Sequence, residues 1–295
     1  MTGRTRDVSE ESSKEKMEGC PVGTTYGAGG TPLTYNKYLK VEELKSLQIC
    51  QSEPAHHDEP LFIIIHQTYE LWFKLILHEL DLVVEMLKAD RPKRAIFYLR
   101  RVVAIMKVLV NQIHILETME PREFLGFRHN LNPASGFQSS QFREVEFMAG
   151  LRNEQMLKHF EDDQVAFEKL TERFNNASLG DLFYDLLEKK GFELPRDKKD
   201  DSEDELASKE LKRINALKRI YEDPDKYYEL HELAEVLIDV DELIGLWRTH
   251  HVTVVERIIG FKRGTGGSEG VGYLRSTLTK RCFPDLWHLR THLEL

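Results

Sequence analysis

Residues 61–80 constrain the fold of this chain more than any other segment. They read LFIIIHQTYELWFKLILHEL, and their apolar residues recur at steps of three and four, which is the spacing of one face of an α-helix. His66 lies on that face. A lone buried histidine in a helix is most often a core residue with a hydrogen-bond partner. The members of the face are Phe62, His66, Tyr69, Phe73, Ile76 and Leu80.

A second histidine occupies a similar setting far along the chain. In residues 244–260, IGLWRTHHVTVVERIIG, His251 lies on an apolar helical face, while His250 is rotated about 100° away from it. Arg248 and Glu256 lie mostly off that face. A Gly-rich loop, GTGGSEG (264–270), follows directly. Two inward histidines beside a flexible loop indicate a haem pocket or an acid/base site. The apolar face itself comprises Ile244, Trp247, His251, Val254 and Ile258.

The whole pattern predicts an all-α protein, a single domain of long packed helices spanning residues 32–295. Residues 1–31 are polar and then Gly-rich, and they are predicted to be a disordered tail. Residues 33–51 are predicted to be an extended lead-in with a short helix, and residues 119–141 a loop with short helical turns. Helices are predicted at 61–88, 92–118, 141–158, 161–174, 178–190, 206–222, 225–260 and 271–280.

Composition narrows the class of protein. The net charge of −9 argues against a nucleic-acid partner, which usually meets a basic face. The three cysteines form no CxxC or CxxCH motif, so neither a zinc ribbon nor a covalently attached haem is indicated. The first residues lack an apolar signal segment, and the longest apolar runs are too short to cross a bilayer. A cytoplasmic protein without a membrane partner is therefore expected.

Several short motifs resemble known functional motifs but lack residues that those motifs require. HELDL (78–82) and HELAE (231–235) lack the second histidine of a zinc-protease motif, and GTGGSEG lacks the GK[ST] ending of a phosphate loop. HHDE (56–59) is predicted to cap a helix rather than bind a metal. Arg128, among aromatic residues, is suited to clamp a carboxylate with two hydrogen bonds, although a surface arginine with its stem packed on Phe127 is the more common case.

Taken together, several long segments resemble the tryptophan 2,3-dioxygenase family. The resemblance runs from about Thr34 to His292, and the absence of extra sequence between about 190 and 230 is similar to compact bacterial members. The family implies an all-α fold around one haem b per subunit, ferrous in the active state, in a homotetramer. The segments are TYNKYL (34–39), HDEPLFIIIHQTYELWFK (57–74), ETMEPREFLGFR (117–128), ASGFQSSQFR (134–143), WRTHHVTVVERIIGFKRGTGGSEGVGYLRSTL (247–278) and FPDLW (283–287).

The resemblance also implies an activity and a set of site residues. The implied reaction opens the indole ring of L-tryptophan with O2 to give N-formylkynurenine, the first step of kynurenine formation. The iron ligand would be His251, and His66 would face the indole N–H. Substrate would contact Phe62, Tyr35, Tyr38, Phe124, Arg128 and Thr265, with both tyrosines supplied by a neighbouring subunit. The haem or distal pocket would contact Ser135, Gly264 and Gly266.

Two positions depart from the pattern of the family. Phe124 stands where some members have Tyr, so a hydroxyl contact near the substrate carboxylate would be missing. Glu269 stands where a small polar residue is expected. Three alternatives remain open at this point: a haem dioxygenase acting on another indole, a non-catalytic haem sensor or carrier, and a helical scaffold whose two histidines are satisfied core residues.

Overall fold

The computed structural model describes residues 33–264 and 270–294, and every regular element in these residues is helical. The predicted all-α class is therefore confirmed. Contacts within the chain divide it into two units, Met1–Ile49 and Cys50–Leu295. The predicted disordered tail, residues 1–31, lies outside the described residues, and the domain start at residue 32 stays a prediction.

The described part of the first unit consists of two short helices, α1 (Tyr35–Leu39) and α2 (Val41–Lys45). The Thr34 hydroxyl accepts a hydrogen bond of 3.3 Å from the Lys37 N–H and caps α1. The predicted short helix is therefore present. Among the described residues the predicted extended lead-in is limited to Leu33 and Thr34, because Thr34, itself extended, caps a helix that begins at Tyr35.

The second unit holds the long helices. It contains α3 (Glu59–Lys88), α4 (Pro92–Leu116), α5 (Pro121–Phe127), α6 (Ser140–Ala149), α7 (Glu154–Leu157), α8 (Gln164–Asn175), α9 (Leu179–Lys189), α10 (Glu203–Glu222), α11 (Tyr228–Ile259), α12 (Val271–Ser276) and α13 (Pro284–Leu289). Short 3-10 turns follow α5 at Arg128–Leu131 and precede α6 at Gly136–Gln138.

The core of the second unit lies between its longest helices, with α4 packed against both α3 and α11. The three- and four-residue periodicity gives each helix an apolar face, and those faces meet. Ile76 of α3, Leu99 and Leu109 of α4, and Leu237 of α11 have no accessible surface. Each such buried side chain contributes roughly 1.5–3 kcal/mol to stability. This packing fixes the backbones of α3 and α11, which carry His66 and His251.

Local backbone signals set the ends of the helices. Asp90 at φ 55° turns the chain between α3 and α4, and Pro92 starts α4. Gly150 at φ 109° ends α6, a conformation that favours glycine, and Asn153 then caps α7 by accepting from the Gln155 N–H at 3.0 Å. The prediction of one helix over 141–158 was therefore wrong.

In the part of the chain that the structure describes, no single helix is both long enough and apolar enough to cross a bilayer. The two segments Pro92–Leu116 and Pro121–Leu131 meet the requirement only when they are taken together, and they are bent by 92° relative to each other.

Candidate active site

A cavity of about 560 Å³ lies in the second unit and is lined by residues of α3, α4, α5, α6, α11 and α12. Its size falls within the range of about 300–1,000 Å³ that is typical of small-molecule sites. Most of its lining is apolar or aromatic. The sequence-predicted site residues that line it are Phe62, His66, Phe124, Arg128, Ser135, His251 and Gly264.

His66 presents one ring nitrogen to its own helix. Its Nδ1–H donates a hydrogen bond of 2.7 Å to the Phe62 carbonyl oxygen, one turn earlier in α3. Because a carbonyl can only accept, Nδ1 carries the proton and Nε2 of the neutral ring is left as an acceptor. The ring lines the cavity, and burial within the protein lowers the pKa of His66. His66 therefore offers a neutral acceptor to a ligand in the cavity.

Aromatic rings surround His66 on the same side of the cavity. The Phe62 ring lies 4.1 Å from the His66 ring between centroids, and 5.5 Å from the Phe124 ring. Phe124 also meets Phe127 edge to face at 5.3 Å. Phe124 is buried in this cluster and contributes apolar surface to it. The result is an aromatic wall suited to a flat apolar ring.

His251 lies on the α11 side of the cavity. Its ring stacks on Trp247 with centroids 5.2 Å apart and an interplanar angle of 15°. Neither of its ring nitrogens has a hydrogen-bond partner among residues 33–264 and 270–294. Burial, and then the charge of His66, lower the pKa of His251 to about 4. The two imidazoles therefore interact electrostatically, and His251 is a neutral ring whose nitrogens have no hydrogen bond to the described residues.

Arg128 stands where α5 ends, and its half-buried guanidinium lines the cavity. Its Nη2–H donates a short hydrogen bond to the Arg263 carbonyl oxygen, just before the Gly-rich loop. The other guanidinium N–H groups have no partner within the described residues. Arginine has five donors in a planar fork, so those that remain can bind a carboxylate. The surface-arginine alternative is not supported, because the side chain faces the cavity.

The other predicted site residues fall into three groups. Ser135 lines the cavity and caps a 3-10 turn by accepting from the Phe137 N–H at 3.3 Å. Gly264 also lines it, whereas Thr265 and Gly266, like Glu269, lie outside the described residues. Tyr35 and Tyr38 belong to the first unit, where their side chains are 74% and 71% exposed.

The sequence did not reveal a buried ion-pair network in the cavity lining. Glu146 of α6 lies between two arginines: Arg143 donates a short bond to it, and Arg248 of α11 donates another of 2.5 Å. All three side chains line the cavity, and Nε of Arg143 is buried without a partner. Two guanidinium groups on one carboxylate leave an excess of positive charge here. Helical periodicity predicts Arg248 mostly off the apolar face. It cannot identify the partner of Arg248, because Glu146 lies on a different helix far away in the sequence.

The side chains of the HHDE segment (56–59) do not cap α3. Asp58 makes no side-chain bond to the start of α3. It accepts instead from the Glu120 N–H at 3.0 Å. The capping prediction was therefore wrong. No group of three or more His, Cys, Asp or Glu side chains able to hold a metal occurs in residues 33–264 and 270–294.

Comparison with known proteins assigns the chain to a family. The sequence profile described as Tryptophan 2,3-dioxygenase matches residues 20–197 and 200–293. A relative of that name from Herpetosiphon aurantiacus is 44% identical over 263 residues, covering 88% of this chain and 98% of the relative. Another from Myxococcus xanthus is 42% identical over 260 residues, covering 88% and 89%. The chain therefore belongs to the tryptophan 2,3-dioxygenase family.

Proposed function

We propose that this protein is a haem-dependent tryptophan 2,3-dioxygenase that converts L-tryptophan and O2 to N-formylkynurenine. The observation that carries the proposal is that one cavity gathers His66, Arg128 and His251 in a chain that belongs to this family. The two relatives named tryptophan 2,3-dioxygenase are matched over 89% and 98% of their own length.

The residues of the cavity fit a haem. A haem brings four nitrogen ligands of its own, so one histidine suffices to attach it, and His251 has ring nitrogens without a hydrogen-bond partner. The aromatic lining suits the porphyrin faces. The excess positive charge of Arg143 and Arg248 over Glu146, with the orphaned Nε of Arg143, suits the propionates. Ser135, Gly264 and Gly266 are proposed as further haem contacts.

When bound, the haem would supply the chemistry that activates O2. The protein has to bind and orient the indole beside it. Oxygen insertion breaks the C2–C3 bond of the indole and forms two C=O bonds, and both oxygen atoms end in the product. No external reductant is consumed in each turnover, so the protein contributes mainly positioning and exclusion of water.

His66 is assigned the orientation of the indole. Its Nε2 is the acceptor nitrogen, and it can receive the indole N–H while Nδ1 stays bonded to the Phe62 carbonyl. The lowered pKa of His66 makes the ring a weaker base than a free imidazole. An indole N–H is itself a very weak acid. His66 is therefore an orienting acceptor rather than an obligatory base, and Phe62 and Phe124 provide the apolar wall.

Arg128 is assigned the substrate carboxylate, with Thr265 completing the contacts to the amino-acid head. Arg128→Lys keeps the positive charge but loses the planar fork. We expect the KM for L-tryptophan to rise about tenfold or more with haem content unchanged, as for loss of one charge-assisted contact of roughly 1.5–3 kcal/mol. Binding of tryptamine, which lacks the carboxylate, should barely change.

The matched control is Arg122→Lys, because Arg122 is an exposed arginine on the same short helix. It should leave both ligands unaffected. A KM for L-tryptophan in Arg128→Lys equal to that of the control would refute the clamp. The overall reaction is tested by adding L-tryptophan and air to the reduced haem protein: sustained formation of N-formylkynurenine supports it. Oxygen binding without product would indicate a sensor or carrier instead.

We further propose a cytoplasmic homotetramer in which Tyr35 and Tyr38 reach the cavity of a neighbouring copy. The high exposure of both rings supports this, because large aromatic side chains are usually covered in the functional assembly. Light scattering should give four chains per particle, and Tyr38→Ala should weaken L-tryptophan binding without altering haem content. A monomer with full activity would refute the shared site.

A further inference from the structure

The segment before α3, residues 51–59, is bonded to the polypeptide on either side of α5. We name it the anchor segment. Asp58 Oδ2 accepts a hydrogen bond of 3.0 Å from the Glu120 N–H, immediately before α5. Beyond α5, Asn130 Nδ2–H donates a hydrogen bond of 3.1 Å to the Gln51 carbonyl oxygen. The anchor segment thus holds α5 and the following turn at both ends.

His56 makes the central contact between the anchor segment and α5. Its Nδ1–H donates to Glu123 Oε2 at 3.2 Å. Its ring also lies directly on the α5 backbone at Gly126. A Cβ atom built on Gly126 would come within 2.4 Å of His56 Cε1, closer than real contacts allow. The absence of a side chain at Gly126 is therefore what lets the His56 ring sit where it does.

The anchor segment is itself tied to the start of α3. The carboxylate of Glu59, which has no accessible surface, accepts from the Gln51 N–H at 2.6 Å and from the Ser52 N–H at 3.1 Å. The Ser52 hydroxyl donates a short bond to the same carboxylate, and it accepts from the His56 N–H at 3.0 Å. His56 is thus held on a braced loop whose position is fixed relative to α3.

A line of rings connects His56 with the cavity. Ring centroids are 6.0 Å apart between His56 and Phe127, 5.9 Å between Phe127 and Phe62, and 4.1 Å between Phe62 and His66. Phe127 is fully buried, and the residue after it is Arg128. Any shift of α5 relative to the anchor segment would therefore move the Arg128 guanidinium relative to the His66 ring.

We propose that His56, seated on Gly126, is a positioning residue that sets the separation of Arg128 from His66 and so matches the site to an indole that carries an α-amino-acid head. The inference rests on the proposed function, in which Arg128 binds the carboxylate and His66 binds the indole N–H. His56 itself touches neither substrate nor haem in this account. It acts through the α5 backbone.

Gly126→Ala is the sharpest test. Alanine favours a helix over glycine by roughly 0.5–1 kcal/mol, so the substitution raises the intrinsic helix stability of α5. The new Cβ atom also displaces the His56 ring from its position against Gly126. We expect the KM for L-tryptophan to rise about tenfold with kcat changed by less than about threefold, as for a displaced binding group. The dissociation constant of tryptamine and the haem content should change less than twofold.

Replacing His56 provides the second test. His56→Ala should reproduce the effect of Gly126→Ala on L-tryptophan. His56→Asn should restore much of the affinity, because the Asn side-chain amide can donate to Glu123 from near the position of Nδ1. The double variant His56→Ala with Gly126→Ala should be no worse than either single variant, since the clash is gone. His57→Ala is the matched control, because His57 is the exposed neighbour without a bond to α5 among the described residues.

The outcomes separate this inference from the proposed function. If Arg128→Lys weakens L-tryptophan binding while the His56 and Gly126 variants bind it normally, the positioning role is wrong and the clamp stands. If Arg128→Lys has no effect either, the clamp itself is wrong. Equal weakening of L-tryptophan and tryptamine, or loss of haem, in the His56 variants would show a general structural role and overturn the inference.

Discussion

On the α3 side of the cavity, His66 is oriented by a hydrogen bond of 2.7 Å to a backbone carbonyl, whereas on the α11 side His251 is oriented by stacking on Trp247 at 5.2 Å. The first arrangement commits one ring nitrogen and fixes the tautomer. The second leaves both nitrogens without a partner among the described residues. Two histidines on similar apolar faces thus differ in their free nitrogens, which agrees with the roles proposed for them, an acceptor for His66 and a metal ligand for His251.

The residues around the His66 and His251 rings also differ, apolar beside the first and charged beside the second. The α3 side is an aromatic cluster of Phe62, Phe124 and Phe127. On the α11 side, Arg248 and Glu146 form a buried ion pair one turn from His251. An apolar wall suits an indole, and a charged one suits the carboxylates of a haem. Substitutions on the two sides of the cavity should therefore differ in kind and in size of effect.

The largest effect is expected from His251→Ala. Losing an outer partner of a metal ligand costs about 10- to 100-fold in metal affinity, and losing the ligand itself should exceed this. Haem retained after gel filtration, measured as the pyridine haemochrome, should fall close to background. His250→Ala is the control, because its ring packs edge-on against His114 at 4.8 Å and does not line the cavity. An unchanged ferrous spectrum in His251→Ala would contradict the assignment.

Next in size is Glu146→Gln. It leaves Arg143 and Arg248 buried without their shared carboxylate, and removal of one partner from a buried pair costs about 3–5 kcal/mol of the free energy of unfolding. Chemical denaturation of the haem-free protein measures the loss. Glu144→Gln is the comparison on the same helix, because its partner Arg173 also pairs with Asp81. An equal decrease in the free energy of unfolding in the two variants would show that the ion pairs of Glu146 are no more important than those of Glu144.

A smaller effect is expected from His66→Ala. One neutral hydrogen bond is worth roughly 0.5–1.5 kcal/mol, so the KM for L-tryptophan should rise about three- to tenfold. Turnover should remain measurable because the ring orients the indole and need not take its proton. Steady-state kinetics with haem-replete protein provide the measurement. Abolished turnover in a variant that still binds L-tryptophan would restore the base role.

The smallest effect concerns the pH dependence of the same ring. Burial lowers the pKa of His66 from its ordinary value of 6.5, and the hydrogen bond to the Phe62 carbonyl and then the charge of Glu70 oppose this more weakly. Nε2 therefore stays an acceptor above the lowered pKa and becomes a donor, repelling the indole N–H, only as the pH falls through it. The KM for L-tryptophan should be flat around pH 6.5 and rise below it. His66→Ala should lack that rise, and a rise centred above pH 6.5 would contradict the direction of the shift.

Sequence periodicity predicted much of this arrangement because His66 and His251 each interrupt a regular apolar face. The helix predicted at 61–88 is observed at Glu59–Lys88, and the one predicted at 225–260 at Tyr228–Ile259. Periodicity is a local signal, so it places a side chain on a face and says nothing of what lies opposite. Arg128 comes from a segment predicted as a loop, so periodicity could not place it in the same cavity as the two histidines. Its place there was predicted only from the resemblance of the motifs to the family.

The sequence predictions that were wrong failed for local reasons in one case and for non-local reasons in the others. Gly150 ends α6 because its positive φ stops the helix, although the apolar pattern around it continues. Arg248 was placed off the apolar face, yet it is 5% exposed because Glu146 of α6 supplies a carboxylate. The HHDE segment (56–59) is predicted to cap a helix, but the Asp58 carboxylate accepts instead from the Glu120 N–H at the start of α5. The last two depend on residues about 60–100 positions away, as the partner numbers show.

The bond between His66 Nδ1 and the Phe62 carbonyl closes within a single turn of α3. The acceptor character of Nε2 is consequently set by α3 itself and does not depend on contacts from the opposite side of the cavity. The α5 side of the cavity can therefore be redesigned, for instance by introducing a hydroxyl with Phe124→Tyr or by using a smaller side chain to make room for a substituted indole ring. Nε2 of His66, which we propose to receive the indole N–H, would remain a hydrogen-bond acceptor throughout such a redesign.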